Sequence, residues 1–93
     1  MYIEHPLHPA GFQQLNLLSA VEHIVPPTNT VRVTIQVEAQ NIRVRDDDAD
    51  PTATVGIRIT KDTTFILDSD TRLLRIIGEA SGAKVNLLWH RES

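Results

Sequence analysis

The chain has no cysteine. Disulfides and thiolate metal centres are therefore excluded, and the composition fits synthesis in a reducing cytosol. Aromatic residues are only 4% of the 93, too few for the stacking platforms that single-stranded nucleic acid requires. Nine Lys and Arg against twelve Asp and Glu leave a formal charge of −3, which gives no basic footprint for nucleic acid. No apolar run approaches the roughly 20 residues that span a bilayer, and no charged-then-apolar leader precedes a cleavage site. The expectation is a soluble chain with neither a membrane nor a nucleic-acid partner. Repeats and low-complexity tracts are absent as well.

What the chain does carry is alternation. Val31, Val33, Ile35, Val37 and Ala39 are apolar, while Arg32, Thr34, Gln36, Glu38 and Gln40 are polar. A period of two marks a strand with one buried and one wet face. After Asn41 the parity flips, and Ile42 and Val44 become the apolar members. A connection of two or four residues centred on Ala39 and Gln40 accounts for the flip. It predicts a hairpin with Val37 opposite Ile42 and Ile35 opposite Val44 on the core face. Gln36 then lies opposite Arg43, and Thr34 opposite Arg45, on the outer face.

A domain of this length exposes roughly 5,400 Å² when folded against about 15,000 Å² unfolded, enough for one thin core. Its first twelve residues read MYIEHPLHPAGF. Pro6 and Pro9 block a helix and each lack an N–H, so this stretch cannot pair fully as a central strand. Tyr2, Ile3, Leu7 and Phe12 make it too apolar for a free tail. The reading is an extended arm over residues 1–12, lying on the domain's own sheet or on a neighbouring subunit, followed by one domain over residues 13–93.

Gln13 to Val25 reads as a strand with a bulge, with a single helical turn as the alternative. Pro26 and Pro27 stop either element. Asp46 to Pro51 is a loop, and Thr54 to Thr60 a strand with Val55, Ile57 and Ile59 inward. Gly56 inside it signals a bulge or a close backbone approach. Lys61 and Asp62 turn the chain into a strand from Thr63 to Leu67. Leu73 to Ile77 is apolar on both parities except Arg75, so it is covered on both faces or sits at a subunit contact. Val85, Leu87 and Trp89 alternate in a last strand, with Lys84 and Asn86 on its other face. Seven or eight short strands with turns between them predict an all-β fold, a small antiparallel β-sandwich or jelly-roll-like barrel.

Four groups of side chains are candidates for chemistry. Asp46, Asp47, Asp48 and Asp50 are carboxylates suited to Ca²⁺, but an EF-hand's Gly and Glu positions are missing. A solvated turn offset by nearby arginines is the preferred reading, with no metal. His5 and His8 are three apart, and His23 and His90 stand alone, which does not make a zinc ligand set. Ser81 between Gly78 and Gly82 has neither the nucleophile-elbow order nor a phosphate-loop ending. Glu4, Glu22, Glu38 and Glu79 are scattered, so no paired carboxylates follow. Arg32, Arg43, Arg45 and Arg58 form a basic stripe if their strands are neighbours. Pairing with Glu38, Asp47 and Asp62 is the preferred reading. No cofactor is implied.

From Gln36 the chain runs as an alternating strand into Asn41-Ile42-Arg43-Val44-Arg45. The acidic pair Asp46-Asp47 follows, then Asp50-Pro51-Thr52-Ala53-Thr54-Val55-Gly56. Further on come the Lys61-Asp62 turn, the run from Asp70 to Ile77, and Ala83-Lys84-Val85-Asn86. This layout resembles small virion structural proteins of tailed bacteriophages over roughly the last two thirds of the chain. Asp48 departs from the pattern, standing where the family has glycine, and the first 30 residues follow no family pattern.

The resemblance implies a β-sandwich of the virion, made in the host cytoplasm, with no catalytic residues. A capsid decoration or cement protein is the leading expectation. A head–tail connector, head-fibre or tail-associated protein is the alternative. The implied partners are the major capsid protein or other virion proteins, with the chain itself a dimer or trimer. Tyr2, Ile3, Leu7 and Phe12 are the candidate arm anchors, and Leu74 and Ile76 a second contact. A carbohydrate-binding module belongs to another class. It has only Tyr2, Phe12, Phe65 and Trp89 with which to stack on sugars, and the last two read as core. An enzyme requires clustered acid, base or nucleophile groups, which the sequence does not display.

Overall fold

The alternating segments become strands, and the strands build two sheets. The computed structural model describes residues 7–17, 20–68 and 71–92. The strands are β1 (Leu7–Leu17), β2 (Glu22–His23), β3 (Thr30–Glu38), β4 (Ile42–Arg45), β5 (Ile57–Ile59), β6 (Thr64–Leu67), β7 (Arg75–Gly78) and β8 (Ala83–Glu92). A single 3₁₀ turn, Thr71–Leu73, precedes β7. One sheet has the order β1-β8-β3-β6 and the other β2-β7-β4-β5. All pairings are antiparallel. The pairs β1–β8, β2–β7, β3–β6 and β4–β5 nest inside one another, as in one long hairpin rolled over on itself. This is a jelly roll, an eight-stranded sandwich. No α-helix occurs among the described residues.

The core lies between the sheets. Val33, Ile35 and Val37 of β3 and Val85, Leu87 and Trp89 of β8 face Ile42 and Val44 of β4 and Ile76 of β7. Leu17, Ile24, Ile59 and Leu74 belong to the same buried cluster. Phe65 and Leu67 of β6 pack against it from the edge. The chain exposes 5699 Å², close to the value its length predicts.

The expected hairpin between β3 and β4 does not form. β3 pairs with β6 and β8, and β4 with β5 and β7. The chain instead crosses from one sheet to the other at Ala39, which takes φ 71°. The Gln40 N–H donates to the Glu38 carbonyl at 2.9 Å, closing a three-residue turn. Asn41 then anchors the corner. Its carbonyl accepts the Glu79 N–H at 2.9 Å, and its side-chain oxygen accepts the Lys61 N–H at 2.9 Å. The two apolar faces therefore meet across the core rather than side by side in one sheet.

Residues 7–12, read as part of an arm lying on the domain's own sheet or on a neighbouring subunit, are the first half of β1 and pair with β8 of the same chain, the first of those readings. Two other segments differ from expectation. The single bulged strand expected over Gln13 to Val25 is instead divided between the sheets: β1 ends at Leu17, and Glu22–His23 form β2 of the other sheet. Among the described residues the register shift of β1 lies earlier, between Pro9 and Gly11, where Pro9 supplies no N–H. The strand expected over Thr54 to Thr60 is confined to Ile57–Ile59. Val55 and Ile57 do not point inward; they are 49% and 57% exposed. The tip from Thr52 to Val55 closes on itself, with the Thr52 hydroxyl accepting the Val55 N–H at 2.9 Å. Leu74, Ile76 and Ile77 are buried within the chain.

Candidate functional site

The outer face of the β2-β7-β4-β5 sheet gathers arginines. Arg43 of β4 lies opposite Arg58 of β5, and Arg45 opposite Arg75 of β7. Like charges in such positions repel, and carboxylates offset each of them. Glu79 accepts from Arg43 Nε at 2.9 Å and from Arg58 Nε at 2.9 Å. Asn41 adds a longer bond to it at 3.4 Å. Asp47 receives Arg45 through two bonds of 2.9 and 2.6 Å. Arg75 reaches Asp50 at 2.9 Å and Asp48 at 2.8 Å. Arg32 lies in the other sheet and is bound by Asp68. The stripe exists across three strands, but its charge is matched from within. Glu38, an expected arginine partner, instead accepts from Asn86 at 2.9 Å.

The same contacts describe the aspartate loop. Asp47 is turned onto the Arg45 guanidinium, whereas Asp48 and Asp50 share that of Arg75. Among the described residues no three His, Asp or Glu side chains are grouped to hold a metal ion.

Glu79 was not singled out by the sequence, because its partners lie 36 and 21 positions away. Hydrogen bonding from Arg58, then from Asn41 and Arg43, holds its carboxyl below the usual range. Arg45 does the same to Asp47, and Arg32 to Asp68. A depressed carboxylate contributes stability above its unfolded pKa and loses it as pH falls through the folded value. Melting temperature should therefore be flat down to about pH 5 and fall below it. Glu79→Gln should lower the melting temperature at pH 7 and flatten that acid decline. An unchanged acid slope in thermal melts of the variant would remove Glu79 from the account.

The outer face of the β1-β8-β3-β6 sheet is different. Phe12, Leu88, Thr34 and Ile66 lie in one row, each opposite the next on the neighbouring strand. Phe12 is 65% exposed, Ile66 55% and Leu88 39%. Beside this apolar row runs a ladder of amides. Gln14 Nε2 donates to Asn86 Oδ1 at 2.8 Å, and Asn86 Nδ2 donates to Gln36 Oε1 at 3.1 Å. Leu88 and Ile66 carried a signal in the sequence, since each is apolar on the polar parity of its strand.

The expected contact residues separate. Phe12 is exposed on this face, and Leu7 is half-buried at the start of β1. Tyr2 and Ile3 lie outside the described residues. Leu74 and Ile76 are 1% and 0% exposed and form core, so neither presents a surface to a partner. Their apolar run reflects burial between sheets.

The motif residues of the Gln36 to Gly56 segment mostly perform structural work. Asn41 ties the corner, Arg43 and Arg45 hold carboxylates, and Pro51 is buried. Asp48 adopts φ 65°, the left-handed conformation that favours glycine.

No protein-family model matches the chain, and neither a curated protein nor a solved structure gives a significant match.

Proposed function

We propose that the chain is a non-enzymatic structural protein of a tailed-bacteriophage virion, acting as a capsid decoration or cement protein. The observation that carries this reading is Asp48. It is the one position where the motif segment departs from the family pattern, and it adopts φ 65°, a conformation suited to the glycine it replaces. The jelly-roll strand order adds support, since viral capsid domains use it, as do lectins. Fold alone does not specify function.

In this reading the apolar row Phe12, Leu88 and Ile66 meets the shell, with the major capsid protein as partner. Each contact is small, and many copies on one shell hold it together through avidity. A head–tail or tail-associated role uses the same fold at lower copy number. Phe12, an exposed aromatic beside the amide ladder, is the observation that favours a carbohydrate-binding module instead.

The test is quantitative mass spectrometry of particles purified from cells that make the chain. The expected result is co-purification at a fixed, high ratio to the major shell protein, with heat-resistant shells that become labile when the chain is stripped. A low copy number would move the assignment to the head–tail or tail region. Absence from particles, together with binding on a glycan array that Phe12→Ala abolishes, would replace it with the sugar-binding reading.

A further inference from the structure

We infer that β1 is a self-association edge: two copies pair β1 with β1 antiparallel about a two-fold axis at Gln14, joining two four-stranded sheets into one of eight. This goes beyond the virion reading, because it concerns the chain alone. A dimer in solution and absence from virions would leave it intact, and a monomer bound to virions would leave the virion reading intact.

An unpaired edge strand is a template for another chain, and proteins blunt it with short length, charge, proline or bulges. The two sheets have four edges. β2 is two residues long, β5 three and β6 four, whereas β1 is eleven. Among the described residues β1 pairs on one side only, with β8. Its first half is protected by Pro9 and by the irregularity between Pro9 and Gly11. Its second half, Phe12 to Leu17, has no charge, proline or register shift. Six residues offer an edge of about 20 Å.

The occupant that fits is a second copy. The chain is net acidic at −3, so two copies carry a net repulsion. FQQLNL brings no charge to the contact. Self-pairing at β5, by contrast, would set Arg58 close to its own copy. With the axis at Gln14, Phe12 lies opposite Asn16 of the partner subunit and Gln13 opposite Leu15 of the partner subunit. An amide both donates and accepts, so Gln14 meets Gln14 of the partner subunit without conflict. The Gln36, Asn86 and Gln14 ladder then continues across the axis into its own image. The contact is isologous and closes at two copies.

Sedimentation equilibrium on the intact chain should give a concentration-dependent dimer. Gln14→Lys should raise its dissociation constant at least about tenfold by facing two ammonium groups. Its circular dichroism should be unchanged and the melting of the monomer nearly so, because Gln14 is exposed and a lysine ammonium can also donate to the Asn86 oxygen that Gln14 serves. With no native cysteine, single-cysteine variants give a second readout. Opposed residues sit about 4.5–5.5 Å apart, within disulfide reach. Gln14→Cys should cross-link under mild oxidant, and Ile66→Cys, on the far edge of the same sheet, should not. The inference fails if the chain is monomeric at every concentration or forms a trimer. It also fails if Gln14→Lys leaves the dimer unweakened, or if Ile66→Cys cross-links as fast as Gln14→Cys.

Discussion

Trp89→Ala is expected to cost about 3–5 kcal/mol. Trp89 is 2% exposed and sits midway along β8, opposite Gly11 of β1 and Val33 of β3. It is the largest side chain in the core, and neighbours on two strands pack around it. The bare backbone at Gly11 is part of that packing: a Cβ placed there would already stand 3.7 Å from the indole Cδ1. Removing the ring leaves a cavity that a strand between two others cannot collapse to fill. A domain of this size has roughly 5–14 kcal/mol in total, so the variant retains only a minor part if the wild type is at the low end. Thermal midpoints should fall by at least about 12 °C, taking about 4 °C per kcal/mol as the lower bound. Circular dichroism is the suitable probe, because the only tryptophan has been removed. A loss below about 1 kcal/mol, typical of a surface position, would show that the ring is not in the core.

Gly56→Val should be the next most damaging change. Gly56 has φ 131°, a conformation almost confined to glycine. A Cβ there would stand 3.1 Å from the Val44 carbonyl oxygen, 3.2 Å from Pro51 Cβ and 3.3 Å from Arg43 Cβ. Two of these neighbours belong to β4, so relief requires β4 and the loop to separate. The Gly56 carbonyl also accepts Arg43 Nη1 at 3.1 Å, so movement weakens the arginine cluster too. Backbone strain of about 1–3 kcal/mol and overpacking of a similar size add to roughly 2–6 kcal/mol. Gly82→Val separates the two effects. It shares a positive φ of 95°, yet a Cβ there meets nothing within 4 Å. Urea titration of both variants should give Gly56→Val the larger loss. Equal losses would mean that the close approach contributes nothing.

Much of this fold was legible because alternation records burial. Val33, Ile35 and Val37, and Val85, Leu87 and Trp89, are inward as their parity predicts. Gly56 announced its close approach. The β3–β4 hairpin failed for a physical reason: a period of two says which face is wet, not which sheet holds the strand. Side-by-side and stacked strands leave the same pattern. The exposure of Val55 and Ile57 was hidden for a related reason, since a short edge strand can leave an apolar parity uncovered. The ion network was only partly readable. Arg45 and Asp47 are two apart and found each other, whereas Glu79 collects Arg43 and Arg58 through strand order alone. The apolar row required knowing that Phe12, Leu88 and Ile66 come from three strands of one sheet.

The place of β8 between β1 and β3 also governs how the molecule is made. A ribosome delivers β1 first and β8 last of the eight strands. Until β8 emerges, β1 has no partner among the described residues, and β3 has only the four-residue β6. Leu7 waits for Glu92 and Leu17 for Ala83, so the sheet cannot grow strand by strand behind the exit tunnel. Its assembly waits for β8, closing long loops before contacts reward it, on the millisecond-to-second scale typical of such topologies. During that interval the uncharged edge from Phe12 to Leu17 is open to neighbouring nascent chains.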